Sequence, residues 1–371
     1  MRLPREFSTF LDLIRFSAAA IVFLGHLSDP RLGGESLRPF LPLAKSAVIA
    51  FFVLSGYVVS WSAARERTAT DFAVNRAARI YSVALPALLL TWAIDLGLRA
   101  HDPAAIQSGY QLAHPWKYVP IFLTFSTDFW FLNENAFSNI PYWSLCYEVW
   151  YYVTYGIFFF GPARWRWLAA GLVLALAGPR LWLLLPTWLL GAVVRRAHER
   201  VNLARNVASA LCIGGVAALI LVKASGIEGI LNDWFNVALG GFPAAKLRYS
   251  QNAPGDMLVA ACIGLVIFAA RDADYVWLKP LHGTVRGMAS ISFSLYLVHF
   301  PLLLAYGVLF PGKCLVIGTL AAGSAIVFGL LFEPRKRLLR QFLLRMVDRV
   351  RLLISRYAPT GRITERSANR L

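Results

Sequence analysis

The chain has 371 residues, of which 58% are hydrophobic and 15% charged, with 12 Trp, a mean hydropathy of +0.56 and a formal net charge of +17. That much apolar surface exceeds what a soluble core of this size buries, which excludes a water-soluble globular enzyme and indicates an all-α, polytopic membrane protein. The excess of Lys and Arg is explained by membrane topology and anionic lipid rather than by nucleic acid.

Hydrophobic periodicity predicts about ten helical spans, near residues 8–27, 44–63, 80–98, 141–161, 167–178, 181–194, 206–223, 256–270, 287–309 and 314–332. The fifth and sixth are short and split by Gly178-Pro179, so they read either as a broken hairpin or as two crossings. Placing the amino terminus in the cytoplasm puts most Lys and Arg on inner segments and predicts a multi-pass protein with both termini inside. Residues 1–334 form the transmembrane unit. Residues 335–371 form a basic cytoplasmic tail, whose RLLRQFLLRMVDRVRLLISRY stretch suits an amphipathic helix on the inner leaflet. Asp12 and Arg15 make the first span too charged for a signal-peptide core, so it is expected to stay uncleaved. Cys146, Cys212, Cys262 and Cys314 fall in spans without metal-type spacing, and neither a disulfide framework nor a metal site is expected.

In the first span, LDLIRFSAAAIVFLGH, Arg15 and His26 share one helical stripe about 16 Å apart. A charged side chain inside a span normally faces protein or a water-filled path, and the small Ala19 and Val22 between the two read as one wall of a narrow passage. Asp12 and Arg15, three apart, can pair. In FFVLSGYVVSW, Ser55-Gly56 permits close helix packing. The inner loop RERTATDFAVNRAARIY carries Arg76 and Arg79 at the expected start of the third span, where guanidinium groups and free helix N–H groups suit phosphate; ordinary flanking charge is the alternative.

Residues 99–140 and 224–255 form two longer outer segments. The first holds YVPIFLTFSTDFWF, too short to span, and residues 118–131 either lie in the interface or re-enter the membrane. Its aromatic residues suit sugar rings or an interfacial belt. In PYWSLCYE, Ser144 and Glu148 share a face, and a carboxylate this deep needs a partner or a proton. ISFSLYLVHFP aligns Ser292, Tyr296 and His299 on one stripe, with His299 either catalytic or a hydrogen-bonded strut. Glu333 in LFEPRKR is expected to pair with the arginines beside it. His26, near the outer mouth, can take a proton from a hydroxyl at physiological pH.

Taken together, the Arg15-to-His26 spacing, FFVLSGYVV, NRAARIY, PYWSLCYE, LPTWLLGAVVRR, SFSLYLVHFP and the closing FEP resemble the acyltransferase 3 family of integral membrane acyltransferases, which includes O-antigen, exopolysaccharide and Nod-factor O-acetylases. The resemblance covers roughly residues 7–334. It implies transfer of an acyl group from cytoplasmic acyl-CoA, usually acetyl-CoA, to a hydroxyl of an extracytoplasmic carbohydrate, a glycan or related acceptor, at the bacterial inner membrane. By the same resemblance His26 is the essential histidine with Arg15 its partner, Arg76 and Arg79 hold the coenzyme phosphates, Glu148 is the motif carboxylate, and His299 the late-span histidine. Tyr296 joins the catalytic candidates as an oxyanion donor, as Ser292 does, and Ser55 joins the cofactor-binding ones. Two positions depart from the family pattern: Phe16 replaces a frequent glycine, and Ser82 a frequent proline, with Pro86 further on. A hydrolase-like domain fused to some relatives is not among these residues, so acceptor selectivity is expected from the core and its outer loops. The rival readings are a transporter that uses Arg15, Glu148, His26 and His299 as a proton or substrate path, and a noncatalytic partner in a polysaccharide export complex.

Overall fold

A computed structural model describes residues 3–101 and 109–357, with side chains to residue 353. Its helices are α1 (Arg5–Leu27), α2 (Leu41–Ala63), α3 (Ala69–His101), α4 (Gly109–Ala113), α5 (Pro115–Leu123), α6 (Trp143–Phe160), α7 (Arg166–Ala177), α8 (Pro179–Ala197), α9 (Arg205–Ser225), α10 (Ile227–Ala238), α11 (Ala253–Ala270), α12 (His282–Ser290), α13 (Ser292–Leu309), α14 (Cys314–Phe332) and α15 (Lys336–Tyr357). No strand occurs among the described residues, only one isolated bridge between Ala136 and Asn139. The protein is an all-α polytopic membrane protein.

Among the described residues, seven stretches are long and apolar enough to cross a membrane: Arg5–Leu27, Glu35–Ala63, Ala69–His101, Arg205–Ser225, Ala244–Ala270, Ser292–Leu309 and Cys314–Leu353. The expectation of about ten also counted α6, α7 and α8. The indole and phenol groups of α6 and the arginines of α8 hold their mean hydropathy down, while α7, with 12 residues, is only about 18 Å long and too short to span. Gly178 breaks α7 from α8 at φ 90°, and a Cβ there would stand 2.8 Å from the Trp130 backbone, so the turn needs glycine.

Two element boundaries and one expected pairing differ from the sequence-based expectation. First, α3 begins at Ala69 rather than near residue 80, because Thr68 caps it: the Asp71 N–H donates to the Thr68 hydroxyl at 3.0 Å and that hydroxyl donates to the Asp71 carboxylate at 2.8 Å. Arg76 and Arg79 therefore lie inside the helix, and no free N–H groups accompany them. Second, the span expected at 287–309 is broken at Ile291, where the Ser290 and Ser292 hydroxyls donate back to Gly287 and Ala289 carbonyls at 2.7 and 2.8 Å and compete with the helical ladder. Third, Glu333 does not pair with its neighbouring arginines; it accepts the N–H and hydroxyl of Ser294 at 3.2 and 3.1 Å, capping the start of α13.

The tightest packing joins α2 to α8. A Cβ added at Gly56 would sit 1.9 Å from the Trp188 carbonyl oxygen, and one at Gly191 would sit 1.9 Å from that of Val53, so the two backbones touch. Around this pair stand α1, α6 and α11, with α13 packed on α1 and α3, whereas α9 is peripheral and mostly exposed. The expected tail helix is present as α15, and it lies along the start of α3 through Arg340 on Asn75 (2.5 Å) and Arg351 on Thr70 (3.0 Å). Residues 358–371 of the tail lie outside the described residues.

Candidate active site

Helices α1, α2, α3, α6 and α13 converge on a cavity of about 60 Å³ at the end of the bundle predicted to be cytoplasmic. Arg15, Ser55, Arg76, Arg79, Glu148 and Tyr296 line it. Helical spacing sets this up: Arg76 and Arg79 are three apart on α3, and Glu148 and Tyr152 four apart on α6, so each pair presents one face. One Glu148 carboxylate oxygen accepts the Ser55 hydroxyl at 2.7 Å and also the Tyr152 hydroxyl, while the Trp188 indole N–H donates to Ser55 at 3.2 Å. The carboxylate is thus clamped on the wall. Arg15 meets Asp12 at 3.5 Å, as their spacing predicts. Arg76 donates to the Ser62 hydroxyl at 3.0 Å, but its buried Nε has no acceptor, and the Arg79 guanidinium makes no hydrogen bond among the described residues. Three guanidinium groups against one lining carboxylate leave the cavity positive, which favours an anionic guest.

A second cavity of about 430 Å³ adjoins the first, sharing Arg15 and Val58. Trp61 and Arg65 line it, with the Arg65 guanidinium 4.1 Å above the indole. Arg15 therefore stands between a roomy vestibule and a narrow inner chamber.

His26 does not line that chamber. Its Nδ1 lies 2.9 Å from Nε2 of His299, and Nδ1 of His299 faces the Tyr296 and Leu295 carbonyl oxygens at 2.7 and 3.1 Å. A carbonyl only accepts, so His299 carries its proton on Nδ1 and offers Nε2 as acceptor; His26 then donates from Nδ1, leaving its own Nε2 with a free lone pair. The partner orienting His26 is thus His299, completely buried on α13. Ala19 and Val22, expected to wall a narrow passage, are packed at 0% and 1% exposure, because α1 buries this stripe against its neighbours. The ring of Tyr296, against Phe51 at 5.4 Å, closes the chamber on the histidine side.

The hydroxyls expected to serve an oxyanion are engaged elsewhere. Tyr296 donates to the Pro141 carbonyl at 3.1 Å and meets Ser144 at 2.8 Å, and Ser292 donates to Ala289. The aromatic outer stretch is half core: Phe122 and Phe125 are buried, with Phe125 stacked on Tyr142, while Trp116 stays exposed. Sequence reasoning missed what fastens that stretch, a fully buried Asp128 between Arg248 (2.9 Å) and Arg180 (3.6 Å). It also missed Tyr152 and the pairing of Lys45 with Asp256 at 3.2 Å. The signal was available for the last pair, since each lone intramembrane charge demands a partner.

No solved structure matches the chain. Among characterised proteins, it is 26% identical to acyltransferase MdmB of Streptomyces mycarofaciens over 329 residues, 79% of this chain and 78% of that protein. It is also 37% identical to an O-acetyl transferase of Shigella phage Sf6 over 89 residues, 23% of this chain and 26% of the relative. The sequence profile of the acyltransferase domain matches residues 8–333, a stretch that holds the three arginines, Glu148 and both histidines. With that match running almost end to end, the chain belongs to the acyltransferase domain family, as a multi-pass membrane member.

Proposed function

We propose that this protein moves an acyl group, acetyl in the first instance, from acyl-CoA on the cytoplasmic side to a hydroxyl of an extracytoplasmic glycan. The observation that carries the reading is the order of groups along α1: a vestibule, then Arg15 at the mouth of a cationic chamber, then His26 with its Nδ1 held by His299 and its Nε2 free. Phosphates of the coenzyme suit Arg15, Arg76 and Arg79, and a pantetheine arm directed along α1 points the thioester at His26. Nε2 of His26 takes the proton of the acceptor hydroxyl, the oxygen forms a bond to the thioester carbon, and the carbon–sulfur bond breaks to release coenzyme thiolate, which is then protonated. In a two-step variant, Nε2 itself carries the acyl group before the hydroxyl does. A chamber of about 60 Å³ holds a few waters but no pantetheine arm, so Tyr296 and Phe51 must move apart as the donor binds. The phage relative's name, O-acetyl transferase, supports acetyl as the group and oxygen as its destination.

The test uses protein reconstituted in vesicles, with radiolabelled acetyl-CoA on the side of the α2–α3 loop and glycans on the other. Label becoming alkali-labile on glycan supports the reading, and label retained on protein before glycan is added identifies the two-step variant. Passage of unmodified acetyl-CoA or glycan, with no label transferred, establishes the transporter instead.

A further inference from the structure

An apolar cavity of about 480 Å³ lies between α3, α6 and the start of α7, on the far side of Arg76 and Tyr152 from the chamber. Its walls are hydrocarbon, from Phe72, Ala73, Val153, Ile157, Phe160 and Ala169. Two charged residues line it, Arg76 and Arg166, and each has a buried Nε–H without an acceptor among the described residues. An unmade hydrogen bond from a buried guanidinium is costly, so two at one apolar cavity call for an anionic group attached to a hydrocarbon. Around the Arg166 end, Arg164 lies 5.2 Å from the Trp165 ring and Arg166 5.3 Å from that of Phe158. Trp165 and Trp167 are 50% and 69% exposed, the placement of indoles at the headgroup level of a bilayer.

We infer that this groove binds an anionic membrane phospholipid, with one acyl chain between α3 and α6 and its phosphate on Arg166 and Arg76. Basic pockets between membrane helices at the cytoplasmic face are suited to such headgroups. The acyl donor is a poorer occupant: of Arg15, Arg76 and Arg79, which suit its phosphates, only Arg76 lines the groove. A free anion gives no role to the hydrocarbon walls. Because Arg76 and Tyr152 border both cavities, the bound lipid braces the wall that holds Glu148. Lipid binding itself does not depend on the acyl-transfer reading.

Native mass spectrometry of the full chain, stripped of lipid and titrated with dioleoyl phosphatidylglycerol or dioleoyl phosphatidylcholine, tests the assignment. Wild-type protein is expected to retain one phosphatidylglycerol about tenfold more strongly than phosphatidylcholine. Arg166→Gln abolishes the preference, Ala73→Trp fills the groove and loses both lipids, and Arg205→Gln on α9 changes neither; monodispersity in size exclusion shows that each variant is folded. Equal retention of the two lipids by wild type overturns the inference, as does undiminished phosphatidylglycerol retention in both groove variants. A changed donor chain-length preference in Ala73→Trp, with lipid retention intact, assigns the groove to the acyl donor and overturns it too.

Discussion

Replacing His299 by alanine tests the histidine pair directly. In the native arrangement Nε2 of His299 accepts from Nδ1 of His26 at 2.9 Å, and that bond fixes which nitrogen of His26 remains basic. The substitution takes the His299 acceptor from the buried His26 N–H and weakens the preference for the reactive tautomer. An unsatisfied buried donor costs about 1–3 kcal/mol, and at about 1.4 kcal/mol per factor of ten this corresponds to a loss of about 5- to 150-fold in transfer rate. Loss of the base itself, in His26→Ala, costs about 10²–10⁴-fold. Because His299 acts through His26, the double variant should be no slower than His26→Ala alone, a strongly non-additive result. His299→Gln, whose amide oxygen can accept the same N–H, should recover most of the rate. Alkali-released acetate from surface glycans of cells expressing each variant gives the rate, and membrane abundance controls for folding. Full activity in folded His299→Ala, or a double variant whose loss is the product of the single losses, would refute the reasoning.

Other substitutions probe the rest of the site and its frame. Arg79→Gln removes a guanidinium that makes no hydrogen bond among the described residues from beside two others, so unfolding in detergent should be unchanged or slightly harder, while the KM for acetyl-CoA rises about tenfold with little change in kcat. Gly56→Ala drives a methyl group to 1.9 Å from the Trp188 carbonyl and should cost about 3 kcal/mol, read as poor membrane yield and a lowered Tm; a normal Tm would show that α2 and α8 can separate freely. At the end of α11, Arg271 grips Asp272 at 2.7 and 2.8 Å, and Asp272 also accepts the Leu203 N–H at 2.9 Å. The Arg271 hydrogen bond holds the Asp272 carboxyl below its ordinary value of 3.8, so its contribution is complete above that value and is lost as pH falls through the lower folded value. Asp272→Asn should therefore lower stability by about 1 kcal/mol at neutral pH, and the gap in Tm from wild type should shrink below pH 4.

Much of this protein is legible in one dimension. Apolar runs interrupted by isolated charges require helices that bury those charges against each other, because a bilayer solvates neither a free backbone group nor a lone ion. Arg15 and Glu148 could be singled out on that ground, and Arg76 and Arg79 as a phosphate-suited pair at the inner end of a span; all four meet in one chamber. The break at Gly178-Pro179 was equally visible, since positive φ at a tight approach leaves glycine as the residue without a clash. What a linear pattern does not encode is which charges face which, and whether a stripe is open or packed. His299 is 273 positions from His26, and nothing local to either ring specifies their bond. Ser292 and Tyr296 look free on a helical wheel, yet backbone carbonyls brought up by the fold take their protons. Helix formation follows from short-range hydrogen bonding and hydropathy, whereas tautomers, closed passages and lipid grooves arise from contacts between distant segments, and these were decided by the tertiary structure.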